Sequence, residues 1–195
     1  MRGGVVLLAA GSASRFGSDK RTHSLPDGRS LLGATIAKYA RAFAEIIVVL
    51  GPADRALAEE LRRQFDPQTV TIVHAQAARL GMGHSLAAGI RAARGWDFAF
   101  VALGDMPFVQ PQTLAALGRA MSEAGHDAIV QPFHEGHKGH PVGFGRRHFS
   151  ALEALTGDEG AREVVKTSAS DLVPLEVDDP GVLQDVDTPA DLAGD

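Results

Sequence analysis

Lys20 and Asp105 are the residues of this sequence whose types and settings point most directly to chemistry. Lys20 closes the stretch Leu8-Ala9-Ala10-Gly11-Ser12-Ala13-Ser14-Arg15-Phe16-Gly17-Ser18-Asp19-Lys20. Gly11 and Gly17 allow the backbone to approach a ligand closely, and successive backbone N–H groups there can cradle phosphate oxygens. Arg15 offers a planar fork for two oxygens and Lys20 a mobile point charge, enough together to neutralise a triphosphate. An ordinary strand-to-helix turn carrying two solvated cations is the alternative. Asp105 lies in Gly104-Asp105-Met106-Pro107-Phe108, directly after a strongly apolar run. A carboxylate at a strand end is rigidly held, and its hard oxygens suit a magnesium ion that bridges substrate phosphates. Asp followed by Pro107 also fits a simple turn. The two stretches fall on one sheet edge if their strands are parallel, which brings cations and carboxylate to one place.

Other segments carry weaker signals. Arg79-Leu80-Gly81-Met82-Gly83-His84-Ser85-Leu86 follows a strand-like run and opens a helical one. Ser85 or the free N–H groups there can contact a ribose or a base, or Ser85 can serve as a helix cap. His134, His137 and His140 are three apart, but Gly136 and Gly139 break any helix that would align them, so a solvated loop is favoured over a zinc site. A P-loop requires four residues between its glycines and then Lys, whereas five separate Gly11 from Gly17 and Ser18 follows. Ala13 stands where a dinucleotide fingerprint requires its second glycine, which argues against a nicotinamide enzyme. There is no cysteine, hence no disulfide, thiolate nucleophile or Cys-based zinc site. No covalent nucleophile is recognised.

The elements that must position these residues are legible in the hydrophobic pattern. Runs rich in Val, Ile, Leu and Phe at 5–10, 46–50, 70–74, 98–103, 128–131 and 172–177 read as strands, mostly buried on both faces. Helical spacing separates them: Leu57, Leu61 and Phe65, then Leu86 and Ile90, then Leu114, Leu117 and Met121. Alternation up to about residue 131 predicts an α/β domain with a mostly parallel sheet and helices on both faces. Residues 132–147, rich in Gly and His, predict a loop or hairpin over one sheet edge, followed by helical patches near 148–155 and 160–167. The 195-residue length and the absence of repeats predict one domain. With 45% hydrophobic and 22% charged residues the composition is that of a soluble domain, neither disordered nor fibrous. A formal charge of -5 supplies no global attraction for nucleic acid or anionic lipid. The first apolar run is too short for a membrane span and a poor signal peptide, so no export is expected, and a reducing cytoplasm suits a cysteine-free chain.

Taken with these residues, the chain resembles the molybdenum cofactor nucleotidylyltransferases, and their cytidylyltransferase branch more than their guanylyltransferase branch. The resemblance runs nearly end to end over six ordered motifs. They are Leu8-Ala9-Ala10-Gly11 with Arg15-Phe16-Gly17 and Lys20; Gly81-Met82-Gly83 with Ser85-Leu86; Gly104-Asp105-Met106-Pro107; Gly139-His140-Pro141-Val142; Gly157-Asp158-Glu159-Gly160-Ala161-Arg162; and Asp185-Val186-Asp187-Thr188-Pro189-Ala190-Asp191-Leu192.

The resemblance implies a Rossmann-like three-layer sandwich of the nucleotide-diphospho-sugar transferase type. It implies CTP held by Leu8, Ala9, Ala10 and Gly11, with Gly81, Gly83 and Ser85 on the nucleotide as well. Lys20, Arg15 and Asp105 become the catalytic residues. Mg²⁺ sits on Asp105, with Asp185 or Asp187 in support of metal or acceptor; Asp187-Thr188-Pro189 capping the last helix is the alternative. His140 and Pro141 hold the acceptor, so residues 1–131 form a nucleotide-binding part and 132–195 an acceptor-binding part. The implied reaction transfers CMP to the phosphate of molybdopterin and releases pyrophosphate, with a molybdoenzyme or its chaperone as protein partner. Guanylyltransferases carry Gly-Gly where this chain has Ala10-Gly11, which is what favours cytidine. The chain departs from many relatives in lacking Leu two positions after Lys20, where it reads Lys20-Arg21-Thr22-His23-Ser24-Leu25. A transferase for another small phosphate, such as a sugar phosphate, and a non-catalytic nucleotide sensor are the competing readings.

Overall fold

The structure, a computed structural model, describes residues 1–11 and 19–192. Among them, eight strands form one sheet: β1 (Gly3–Leu8), β2 (Ile46–Leu50), β3 (Val70–His74), β4 (Phe98–Leu103), β5 (Ile129–His134), β6 (His137–Lys138), β7 (Val142–Gly145) and β8 (Leu172–Glu176). The α-helices are α1 (Leu31–Tyr39), α2 (Arg55–Gln64), α3 (Met82–Ala92), α4 (Pro111–Ala124), α5 (Phe149–Glu153) and α6 (Arg162–Thr167). The strand order is β3-β2-β1-β4-β7-β5, with β8 parallel to β5 on its outer side and β6 pairing the far end of β5. β1 to β4 are mutually parallel, and β7 runs against both β4 and β5. The expected α/β architecture with a mostly parallel sheet is therefore present.

Strand alternation assigns each apolar residue to a face. Val5, Leu7, Val48, Leu50 and Phe100 pack with Leu32, Ile36, Leu57, Leu61, Leu114 and Leu117, which places α1, α2 and α4 on one side. Val6, Leu8, Ile47, Val49 and Val101 pack with Leu86, Ile90, Phe149, Leu152 and Val164, which places α3, α5 and α6 on the other. Each fully buried aliphatic side chain contributes about 1.5–3 kcal/mol relative to exposure, and the two layers hold the sheet rigid behind its edge loops.

Three sequence expectations need correction. β1 ends at Leu8 rather than at residue 10: Ala9 still donates to the Val49 carbonyl at 2.9 Å, but its own carbonyl is taken by a side chain outside the sheet. β5 continues to His134, three residues further than the apolar run indicates, because its end pairs with β6 across a two-residue turn. That turn is Glu135-Gly136, both at positive φ (50° and 78°), the signature of a tight hairpin. The largest correction concerns residues 132–147, which do not merely cover an edge. β7 is inserted between β4 and β5, in the middle of the sheet. It fits there because Gly143 faces Phe100, where a Cβ would lie 2.6 Å from the ring, while Val142 and Phe144 fill the opposite layer.

Candidate active site

In this topology the chain leaves β1 for β2 on one side and later returns to β4 on the other. The crevice at the carboxyl ends of β1 and β4 is therefore the switch point where such sheets bind ligands. Ala9, Ala10 and Gly11 follow β1 at this crevice, and Gly104 and Asp105 follow β4. Gly104 N–H donates to the Leu8 carbonyl at 2.9 Å, tying the two loops together. A Cβ on Gly104 would stand 3.1 Å from that of Ala9 and 3.0 Å from Leu32 Cδ1, so a small residue is required for the approach.

Lys20 enters from a 3-10 turn, Lys20–Thr22, that Asp19 caps by accepting from the Arg21 N–H at 3.1 Å. Its ammonium donates to Asp105 Oδ2 at 2.7 Å, to the Val186 carbonyl at 2.8 Å and to Asp187 Oδ1 at 3.3 Å. Burial pushes the Lys20 pKa down, but the hydrogen bonds and charges of Asp105 and Asp187 outweigh it and hold the pKa above the ordinary lysine value. The group is thus a cation held in place by three acceptors, not the mobile one expected from its loop. Arg15 lies outside the described residues.

The C-terminal segment reaches this site because Val186 is fully buried against Leu31, with Leu25, Phe108 and Leu192 around it. Val186 N–H also donates to the Asp105 carbonyl at 2.9 Å. The capping alternative for Asp187 is reversed: Asp191 accepts from the N–H groups of Asp187 and Thr188 at 2.9 and 2.6 Å, while the Asp187 carboxylate turns to Lys20. Asp185 does not join this cluster. It is exposed, and among the described residues no group of three His, Cys, Asp or Glu side chains is placed to hold a metal. Of the three carboxylates expected at a metal, Asp105 and Asp187 are the two that face Lys20 together. They fit a divalent cation shared with phosphates, which needs only one or two protein carboxylates. Asp105 Oδ1 is buried without a hydrogen-bond partner, an acceptor left open toward such an ion.

His140 stands on the Gly139-His140-Pro141 segment between β6 and β7, whose His140–Pro141 peptide is cis. The His140 N–H donates to the Val182 carbonyl at 2.8 Å, and a Cβ on Gly139 would come within 2.6 Å of Val182 Cγ2. Burial and, behind it, the charge of Arg162 lower the imidazole pKa; Asp105, the Val101 carbonyl and Asp185 oppose them. Burial thus disfavours the protonated form of His140, and its Nδ1 is buried without a partner. The ring lies within electrostatic reach of Asp105.

Gly81 and Gly83 serve a contact that spacing alone did not reveal. Gly81 has φ +125°, and a Cβ there would meet Gly157 backbone atoms at 2.1 Å. Gly83 N–H donates to the Gly157 carbonyl at 2.9 Å. Both glycines weld the start of α3 to the turn before α6. Ser85 is buried within α3 and is not its cap, since Gly81 holds the N-cap position. The feature missed entirely is Arg21, half-buried between Asp19 and Asp54. An Arg beside a Lys reads as a solvated charge, and its partner Asp54 lies 33 positions away.

A doubly wound sheet with a lysine–carboxylate pair at its switch point is a setting suited to binding phosphates. The chain belongs to the MobA-like NTP transferase domain family, which matches residues 5–172. It is 34% identical over 144 residues to the bifunctional protein GlmU of Nitrobacter hamburgensis, covering 72% of this chain and 30% of that protein. It thus spans less than a third of the length of that relative. The purine catabolism protein PucB of Bacillus subtilis is 29% identical over 191 residues, covering 94% of this chain and 91% of PucB. Rv0371c of Mycobacterium tuberculosis has a similar crystal structure, with TM-score 0.80, 29% identity and coverage of 98% and 95% of the two chains. A second Rv0371c structure is a complex with manganese, with TM-score 0.71, 26% identity and coverage of 91% and 89%. Among the described residues no helix is long and apolar enough to cross a membrane.

Proposed function

We propose that this nucleotidyltransferase moves CMP from CTP to the phosphate of molybdopterin with release of pyrophosphate, using Mg²⁺. The observation that carries the chemistry is the convergence of Lys20, Asp105 and Asp187 at the β1–β4 crevice. In nucleotidyl transfer the acceptor phosphate attacks the α-phosphorus in line with departing pyrophosphate, so catalysis consists of positioning and charge stabilisation. An acceptor phosphate is already ionised, and no general base is required. Asp105 and Asp187 would hold the metal, which when bound supplies charge neutralisation on the phosphate oxygens. Lys20 stays protonated because its two carboxylates raise its pKa, and its ammonium stabilises the charge that grows on the leaving group. Ala10 and Gly11 offer backbone to the nucleotide, with Arg15 as a further phosphate ligand, whereas the Ala9 N–H and carbonyl, expected there from the sequence, are already bonded to Val49 and Arg21.

Residues 132–195 form the acceptor side in this reading. His140, whose Nδ1 has no partner and whose burial disfavours the charged form, would hydrogen-bond the acceptor, with Pro141 beside it on the same segment. Cytidine is favoured over guanosine by the Ala10 methyl, in keeping with the likeness to cytidylyltransferases. The test is a screen of all four nucleoside triphosphates against molybdopterin and against a sugar phosphate, following pyrophosphate release. The expected result is turnover with CTP and molybdopterin; turnover confined to another nucleotide or to the sugar phosphate would refute the substrate assignment.

A further inference from the structure

Arg21 is the most completely engaged side chain near the site, and nothing in the chemistry above uses it. Its Nε donates to Asp19 Oδ1 at 2.8 Å. Nη1 donates to the Ala9 carbonyl at 2.7 Å and to Asp54 Oδ2 at 2.6 Å. Nη2 donates to Asp19 Oδ2 at 2.7 Å and to Asp54 Oδ1 at 2.9 Å. A guanidinium has five N–H donors, and all are spent. Only 12% of the side chain is exposed. Arg21 therefore has no donor left for a triphosphate.

Its partners show what it holds. Ala9 is the first residue after β1, and Arg21 directly follows Lys20, so the bond to the Ala9 carbonyl closes both stems of the loop between them. Asp54 occupies the N-cap position of α2 yet makes no capping bond to that helix. Its carboxylate is turned instead to Arg21 and to the Gly51 N–H, the latter at 2.7 Å. The Gly51 carbonyl is in turn 2.9 Å from Nδ1 of His74, the last residue of β3. One chain of polar contacts thus runs along the carboxyl edge of the sheet, from His74 through Gly51, Asp54 and Arg21 to Ala9. Lys20, the residue before Arg21, extends it to Asp105 after β4.

We propose that Arg21 is a positioning residue, which with Asp19 and Asp54 fixes the base of the phosphate-side loop and so sets the placement of Lys20 against Asp105 and Asp187. The proposal rests on the nucleotidyltransferase reading for its effect on turnover. A helix cap or a surface ion pair would contribute stability alone; this fork acts through Lys20. Arg21→Gln removes the forked, charged grip while keeping a polar side chain, and Arg21→Lys keeps the charge but cannot grip two carboxylates in parallel.

The experiment measures kcat and KM for CTP in wild type, Arg21→Gln, Arg21→Lys, Lys20→Ala and the Arg21→Gln/Lys20→Ala double variant. Displacing a reacting group by about 1 Å costs on the order of 100-fold, so Arg21→Gln is expected to lower kcat by about 10–100-fold with a smaller change in KM. In the Lys20→Ala background the same substitution should cost about 2-fold or less, because the two act as a unit. Equal losses in both backgrounds would overturn the proposal. A second readout needs no turnover: the ¹⁵N resonance of the Lys20 ammonium, identified by its loss in Lys20→Ala. Wild type is expected to show a signal protected from water exchange, and Arg21→Gln to lose that protection; an unaltered signal would overturn the proposal. Should Arg21→Gln fail to fold, Arg21→Lys decides both readouts, with an intermediate loss of kcat and of protection expected and no loss of either contradicting it. A wild type inactive with every triphosphate would instead refute the nucleotidyltransferase reading, and the ammonium resonance would still decide the role of Arg21.

Discussion

Each principal side chain of the site is held by the chemistry it also offers to substrate. Asp105 gives one oxygen to Lys20 and leaves the other buried and unpartnered. Asp187 faces the same ammonium, whereas Asp185 is exposed. Replacing each by Ala should therefore separate them: Asp187→Ala lowers metal-dependent kcat at least about 10-fold, as loss of a charged partner does, while Asp185→Ala leaves kcat within about 2-fold. A steady-state comparison at saturating metal checks this, and equal effects would contradict the assignment. Ala10 governs base choice if the backbone after β1 passes along the nucleobase. One methyl in a packed pocket discriminates by roughly 10–200-fold, so Ala10→Gly should raise GTP use relative to CTP within that range, read as the ratio of the two kcat/KM values. The meeting of Lys20 and Asp105 was legible in the sequence because parallel strands bring the stretches after β1 and β4 to one sheet edge. Asp187 was legible only as one of two. Arg21 was not legible, since its meaning lies in Asp54, brought to it by the β1–β2 pairing.

The elements were read well where periodicity alone determines them and poorly where long-range pairing does. β2 and β4 coincide with their apolar runs because strands buried on both faces show continuous hydrophobicity, and the edge strand β3 also coincides with its run although Thr71 is exposed. β7 was missed, since a four-residue Val-Gly-Phe-Gly strand has no length, and its place between β4 and β5 depends on Phe100 receiving Gly143. The same logic of close approach governs the start of α3. Gly81→Ala must place a Cβ against the Gly157 backbone and hold an alanine at φ +125°. Such backbone strain costs about 1–3 kcal/mol, so urea unfolding should show a loss of at least that size. Turnover should fall too, because the turn before α6 would move. Wild-type stability in this variant would refute the account of why glycine stands there.

At the scale of the whole molecule, the site joins the C-terminal segment to the first loop through ion pairs, and this makes stability depend on pH. Asp19 has its pKa lowered, first by its hydrogen bonds from Arg21, against the opposing effect of burial. A depressed carboxyl pKa stabilises the fold above the unfolded value of 3.8, and the contribution disappears as the pH falls through the folded value. Lys20 has the opposite sign: its raised pKa stabilises the fold below 10.5 and is lost as the pH rises through the folded value. Thermal melts across pH should therefore show an acid limb that flattens in Arg21→Gln and an alkaline limb that flattens in Lys20→Ala; unchanged limbs would contradict these pairings. The central claim is metal-dependent nucleotidyl transfer at the crevice between β1 and β4, and it is tested most directly by pyrophosphate release in Asp105→Asn with CTP, molybdopterin and Mg²⁺. The substitution keeps the shape of a side chain that no core packing depends on. Loss of an electrostatic group acting on the transition state costs about 10²–10³-fold in kcat; a loss of that size, with the far-UV circular dichroism spectrum of wild type retained, is the predicted result, and turnover equal to wild type would contradict the account.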